Sequence, residues 1–280
     1  MKDEPLVYKI SNTEICISNC KNKFKLGQSE YLSNNQTDVC SKLSWYNDGY
    51  KVYDFLSMND FKALRAIIEN TLQEIIYEEL GRKIEGFKLE NYHNYVNNDE
   101  DHYKVVNRTR SLVESKNHTS VQRYIKIIEG LTGLTLSNKI PHINQEAHFI
   151  IRINRPNSND YNPPHKDIYE VTDNFNTTLK MLNCWIPIAG VNEKSSLPIV
   201  PQSHLLNEDE ILRAFEGANI GGRNYRVRII KSWDNQSQLF RADVKESQIL
   251  IFSSYLIHGL ATNFNNNITR VALELRLFER

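Results

Sequence analysis

The sequence predicts an all-β core with flanking helices, of the antiparallel-sandwich or jelly-roll kind. Beyond about residue 140, short apolar runs separated by Asn, Pro, Gly and Asp become the rule. Those runs alternate with turn signals and not with long helices, which disfavours a parallel βαβ sheet. Helical periodicity is concentrated in the first half of the chain, ahead of the strands.

Residues 1–45 are polar with brief apolar alternations, Tyr8-Lys9-Ile10 and Ile15-Cys16-Ile17, and read as a short hairpin or a draped arm. Residues 46–143 read as mainly helical support. Asn47-Asp48-Gly49-Tyr50 is a turn signal, followed by a strand-like run over 52–56. Asn59 or Asp60 then caps a helix in which Phe61, Leu64, Ile67, Ile68, Leu72, Ile75, Ile76 and Leu80 recur at i, i+3 and i+4, with Gly81 ending it. Residues 91–118 read as polar and irregular. A second amphipathic helix is expected over 120–130, with Val121, Tyr124, Ile125 and Ile128 on one face. The β core occupies 144–280, with strands expected at 149–153, 179–188, 197–200, 227–230, 249–252 and 271–278. One short helix is expected near 208–215, capped by Asn207 and led by Glu208, Asp209 and Glu210. No internal repeat interrupts the chain, so residues 1–280 are expected to form one domain.

Composition narrows the function classes. Lys plus Arg and Asp plus Glu both total 34, so the formal net charge is zero. That argues against a dedicated nucleic-acid binder, which carries a basic excess. No stretch approaches the ~20 apolar residues of a membrane helix, and Met1-Lys2-Asp3-Glu4-Pro5 lacks the start of a secretory signal. Cys16, Cys20, Cys40 and Cys184 form neither a CxxC pair nor a zinc-like spacing, so free thiols in a reducing, cytoplasmic setting are expected. The oligomeric state is left open.

The chemistry concentrates in the second half. Pro163-Pro164-His165-Lys166-Asp167 places a His and an Asp two apart, on one face if the segment is extended. Alone this is a chance-level match. His258, at the end of the apolar segment Ile249 through Gly259, supplies a third ligand. Two His and one carboxylate on one face of a metal leave positions open, the arrangement associated with non-haem Fe(II) oxygenases. Arg270 opens the last strand; an Arg pointing inward needs an anion, and a dicarboxylate co-substrate matches its fork.

The chain from about residue 45 to 280 resembles the phytanoyl-CoA dioxygenase-like family of Fe(II)/2-oxoglutarate oxygenases. The resemblance rests on Asp48-Gly49-Tyr50, Ile153-Asn154-Arg155-Pro156, His165-x-Asp167 and Asn183-Cys184-Trp185-Ile186-Pro187-Ile188. It continues through Leu197-Pro198-Ile199-Val200-Pro201-Gln202-Ser203-His204, His258-Gly259 and Arg270-Val271-Ala272-Leu273. It implies a double-stranded β-helix, a cupin-like jelly roll with N-terminal helices packed on it. It also implies Fe(II) held by His165, Asp167 and His258, and 2-oxoglutarate with its far carboxylate on Arg270. O₂ would be the oxidant and a small molecule the substrate, hydroxylated with release of succinate and CO₂. It further places Trp185 beside the co-substrate and Ile151 in the same pocket. The presence of Asp167 favours hydroxylation over halogenation. Two positions depart from the family pattern: Gln202 stands in a turn that usually has Gly, and Ala272 replaces a Ser or Thr donor to the co-substrate.

Other readings stay open beside these. Trp185 on an apolar strand is equally a core aromatic. His204 reads as a hydrogen-bonding loop residue, and His148 as facing away from the pocket. Arg223, Arg226, Arg228 and Lys231, behind the flexible stretch 217–222, are either a lid for an anionic substrate or a solvated face. The Asn-rich loops 91–98 and 154–162 are candidates to rim the entrance. At the level of function the rivals are a barrel binding or sensing protein with a vestigial metal site, and the same enzyme class performing desaturation, cyclisation or epimerisation.

Overall fold

The computed structural model describes residues 5–28, 31–111, 118–143, 145–175, 177–220 and 223–280. The hairpin β1 (Leu6–Ile10) and β2 (Thr13–Ile17) is followed by the short β3 (Lys25–Leu26). Strand β4 (Tyr50–Asp54) leads into α1 (Met58–Leu80), α2 (Tyr92–Tyr95), α3 (Asp99–Ser111) and α4 (His118–Thr132). Next come β5 (Leu136–Ser137), β6 (Ile150–Asn154), α5 (Asp167–Phe175), β7 (Met181–Ala189) and β8 (Pro198–Ile199). Strands β9 (Ile211–Arg213), β10 (Ala218–Ile220), β11 (Arg223–Tyr225), β12 (Ile230–Trp233), β13 (Gln238–Arg241), β14 (Gln248–Ser253) and β15 (Arg270–Glu279) complete the chain.

The strands form a large sheet ordered β4-β14-β7-β15-β5, with β6 also paired to β15, and a second sheet ordered β2-β1-β13-β8. A three-stranded sheet β12-β9-β3 and the hairpin β10-β11 lie beside them. Pairing is antiparallel throughout these sheets except for β1 against β13. The brief apolar alternations of residues 6–17 therefore become two strands of a wall, and β4 and β5 likewise bring residues from ahead of 144 into the large sheet.

Alternation along the strands divides the interior. Leu182, Cys184, Ile186 and Ile188 of β7 and Val271, Leu273, Leu275 and Leu277 of β15 pack with Leu64, Ile68, Leu72 and Ile75 of α1 and Ile125 and Ile128 of α4. The opposite face carries Trp185, Leu250, Phe252 and Ala272, which meet Ile199 of β8, Ala242 and Leu256. The large sheet is thus a partition: helices on one side, the second sheet across an interior on the other.

Several local elements differ from the sequence reading. Helix α1 is capped by Ser57, whose Oγ accepts from the Asp60 N–H at 3.1 Å, not by Asn59 or Asp60; Gly81 ends it in the left-handed conformation (φ 67°) as expected. The described residues of the 91–118 stretch are not all irregular: α2 and α3 lie there, and 112–117 fall outside the described residues. Helix α3 has little apolar periodicity, and it is supported by Asp99, Glu100 and Asp101 in its first turn and Arg108 and Arg110 in its last. The helix expected over 208–215 is a single 3₁₀ turn, Glu208–Glu210, closed by a capping box with Asn207, and then strand β9. Pairing of Ile211–Arg213 with both β12 and β3 overrides the local helical preference. The strand expected over 227–230 begins only at Ile230 and runs to Trp233. All four cysteines are free thiols, as expected.

Candidate metal centre

His165 and His258 come together through backbone pairing. The His165 N–H donates to the His258 carbonyl at 2.9 Å and the reverse bond is 3.1 Å, next to a bridge between Ile199 and His258. The approach requires a glycine after His258. Gly259 has φ 137°, and a Cβ there would lie 2.6 Å from the Pro163 carbonyl oxygen. Asp167 joins the site differently from the sequence expectation. It does not continue a strand but opens α5, where the positive end of the helix favours a carboxylate.

Each imidazole is oriented by a carbonyl. His165 Nδ1 donates to Pro163 O at 2.7 Å and His258 Nδ1 to Leu256 O at 3.0 Å. Both Nε2 atoms are therefore left as acceptors, and they face the carboxylate: His165 Nε2 is 3.4 Å from Asp167 Oδ1, and His258 Nε2 is 3.8 Å from Asp167 Oδ2. All three side chains are buried, and their ligand atoms lie within 4.8 Å of one another. Among the described residues this is the one such group of His, Cys, Asp or Glu. Three convergent ligand atoms fit a divalent cation. Burial acting alone would raise the Asp167 pKa, but the Arg276 guanidinium 2.7 Å away and the two imidazoles hold it well below the carboxylate range. Substituting His165 or Asp167 by Ala is expected to lower divalent-cation affinity by ~100-fold or more. Anaerobic titration of the apoprotein checks this, and wild-type affinity in either variant would remove the triad as the site.

Burial, reinforced by the neighbouring His165 and opposed by Asp167, lowers the His258 pKa from 6.5 to about 4. The unfolded chain takes up this proton near pH 6.5 and the folded protein only near pH 4. Stability of the metal-free protein is therefore expected to fall as pH drops through that window. Melting temperatures measured from pH 7.5 to 4 check the slope, and His258→Gln should flatten it.

Arg270 begins β15 and is 1% exposed. Its Nη1 donates to Asn154 Oδ1, while Nε and Nη2 have no hydrogen-bond partner among the described residues. The guanidinium lies over the Trp185 ring, 5.2 Å from its centroid, and the Trp185 indole N–H is also unpartnered. Burial lowers the Arg270 pKa to about 9, with Glu274 opposing and Arg241 and Arg152 adding to the effect. A buried cation with two unused donors is the signature of a site that receives an anion.

The structure brings His165, Asp167 and His258 together and sets Trp185 against Arg270 on the interior face. Ile151 is a correction. It packs with Leu273 among the residues under the helices, on the other face of the sheet. On β6 the interior face belongs to Arg152, which pairs with Glu274 at 2.7 Å, and Asn154; a one-residue error in phase inverts the side chain. Gln202 keeps the left-handed turn (φ 64°) at a cost of about 1–2 kcal/mol for a side-chain-bearing residue. His204 is buried, with Nε2 against the Tyr46 carbonyl, in the loop role expected of it.

Sequence reasoning missed Arg276 and Asn154. Arg276 had a signal: positions 270, 272, 274 and 276 share a face, and three of those four are charged, alternating with the apolar Val271, Leu273, Leu275 and Leu277. Of the basic cluster, Arg226 is exposed and Lys231 lies over the Phe24 ring; Gly221, Gly222 and the Arg223 side chain fall outside the described residues. The loops around 93–99 and 155–158 do meet, in a recess of about 350 Å³, but no triad residue lines it.

No family model and no curated protein matches the chain. Among solved structures, it is similar to EctD from S. alaskensis with 2-oxoglutarate and 5-hydroxyectoine, at 12% identity and TM-score 0.47, over 97% of this chain and 86% of that one. It is also similar to the non-heme alpha ketoglutarate dependent carbocyclase SnoK from nogalamycin biosynthesis, at 16% identity and TM-score 0.44, over 91% and 87%. For AviO1 from Streptomyces viridochromogenes Tue57 the values are 14%, 0.43, 84% and 91%. Similarity at this level leaves the chemistry to be read from this chain's own residues. No helix among the described residues is long and apolar enough to cross a membrane.

Proposed function

We propose that the chain is an Fe(II)- and 2-oxoglutarate-dependent oxygenase acting on a small molecule, within one domain built on a double-stranded β-helix. The observation that carries this is the buried, half-partnered guanidinium of Arg270 on the interior face that looks toward His165, Asp167 and His258. A metal triad alone fits many hydrolytic or structural sites. A triad with open positions beside a clamp for a second, anionic ligand fits a metal that binds a dicarboxylate co-substrate.

His165 Nε2, His258 Nε2 and an Asp167 oxygen would hold Fe(II), and Arg276 steadies the other part of that carboxylate. When bound, the iron couples oxidative decarboxylation of 2-oxoglutarate by O₂ to oxidation of a substrate C–H bond, yielding succinate and CO₂. Arg270, stacked on Trp185 and tethered by Asn154, fixes the far carboxylate. The apolar residues around this pair, Leu250, Phe252 and Ala272, exclude water from it. Hydroxylation is the outcome favoured, since Asp167 fills the position a halide would need.

Anaerobic addition of Fe(II) and 2-oxoglutarate to the purified protein should produce a weak visible charge-transfer band, and admission of air should give slow succinate formation. Absence of both would end the proposal. Metal analysis separates it from a pure binding protein. Desaturation, cyclisation and epimerisation would use every residue named above; product analysis distinguishes them from hydroxylation.

A further inference from the structure

Asn183 is buried, and among the described residues neither its Oδ1 nor its Nδ2 has a hydrogen-bond partner. Native interiors leave few such groups, because a buried amide without partners costs about 1–3 kcal/mol. Its place in the sheet says what it faces. Alternation along β7 turns Asn183 to the side of Trp185, away from Leu182 and Cys184, which lie under the helices. Directly across from it are Phe252 on β14 and Arg276 on β15. These two side chains reach from the large sheet to the triad. The Phe252 ring lies 5.0 Å from the His258 ring in an edge contact, and Arg276 Nη2 lies 2.7 Å from Asp167 Oδ1. Asn183 thus occupies the rung of the sheet that confronts the metal position.

Trp185, with the Arg270 guanidinium over its ring, is the next residue on the same face of β7. Two residues of strand advance about 6.5–7 Å, a step a five-carbon diacid spans. A ligand held at its far carboxylate by Arg270 and Trp185 and reaching the metal lays its other end over Asn183. The unpartnered donors then form one row: Arg270 Nε and Nη2, Trp185 Nε1, Asn183 Nδ2.

We propose that Asn183 is a co-substrate-positioning residue whose Nδ2–H donates to the head carboxylate of the 2-oxo acid, fixing its rotation about the metal. This rests on the oxygenase reading above and assigns a second donor where Ala272 supplies none. The test compares the wild-type protein with Asn183→Leu and Asn183→Asp. Affinities are measured anaerobically on the Fe(II) form, for 2-oxoglutarate by the visible band and for 4-oxopentanoate by competition. The latter keeps the far carboxylate and the oxo group but lacks the head carboxylate.

Asn183→Leu should weaken 2-oxoglutarate by about 10- to 100-fold, the loss of one charge-assisted hydrogen bond, and Asn183→Asp by more. Affinity for 4-oxopentanoate should change by less than about 2-fold in the leucine variant, and the apoprotein's melting temperature should not fall, since an unsatisfied amide has been removed. Unchanged 2-oxoglutarate affinity would overturn the assignment and leave Asn183 to the substrate or to a buried water. Equal losses for both ligands, or a fall in apoprotein melting temperature, would mark a merely structural role and overturn it too. A wild-type protein with no 2-oxoglutarate-dependent band overturns the oxygenase reading itself, and this proposal with it.

Discussion

Arg270→Leu is expected to raise the dissociation constant for 2-oxoglutarate by ~30- to 5,000-fold while making the ligand-free protein more stable, not less. The two effects have one cause. Truncating one partner of a buried, hydrogen-bonded charge pair costs about 2–5 kcal/mol of binding. In the ligand-free protein that partner is missing: Nε and Nη2 of Arg270 have no acceptor among the described residues, and the group is 1% exposed. The same burial disfavours the charged form and lowers the Arg270 pKa to about 9. Leucine removes the buried charge and leaves the Trp185 face against an apolar neighbour, so thermal melts of apo Arg270→Leu should shift upward. Fe(II) affinity should be unchanged, because no triad atom contacts Arg270. Wild-type 2-oxoglutarate affinity would place the far carboxylate elsewhere, and a lowered apo melting temperature would mean that Asn154 and Trp185 already satisfy the guanidinium.

The triad residues and Arg270 were legible because each is a chemical type in an informative place: a His-x-Asp after two prolines, a His after an apolar strand, an Arg at the mouth of the next. The strands at 181–189, 248–253 and 270–279 were legible because apolar runs bounded by turns point to buried sheet. What stayed hidden depends on phase and on distant partners. Ile151 and Arg152 are adjacent, and only the pairing of β6 with β15 decides which faces the interior. Helix α3 hides because it buries little, His102, Val105 and Thr109 among its described side chains, and so shows no apolar stripe. Glu208 reads as the polar start of a helix; that its carboxylate is fully buried follows from Lys166 and Arg213, neither of which is near it in any periodic pattern.

Glu208 leads to the largest expected effect on stability. Lys166 lies between His165 and Asp167, and its side chain is fully buried, with Nζ 3.3 Å from Glu208 Oε1. Arg213 Nε is 3.2 Å from Glu208 Oε2, and the Tyr169 hydroxyl donates to both oxygens at 2.7 and 2.9 Å. Gly27 closes over this carboxylate so tightly that a Cβ would meet Glu208 Cβ and its carbonyl oxygen at 2.7 Å. Two buried cations thus share one anion. Burial draws the Lys166 pKa down, and the Glu208 charge opposes the shift. Glu208→Gln leaves both cations without a counter-charge, which should cost about 3–5 kcal/mol, read as a lower urea midpoint at unchanged m-value. Lys166→Met should be far milder, because Glu208 keeps Arg213 and Tyr169. Adding Lys166→Met to Glu208→Gln should recover part of the loss, because one uncompensated charge is gone. Since the cluster lies on the backbone that carries His165 and Asp167, Fe(II) affinity should fall in Glu208→Gln in parallel with stability and recover in the double variant. A Lys166→Met variant as damaged as Glu208→Gln would show that the cluster acts through packing, not through charge.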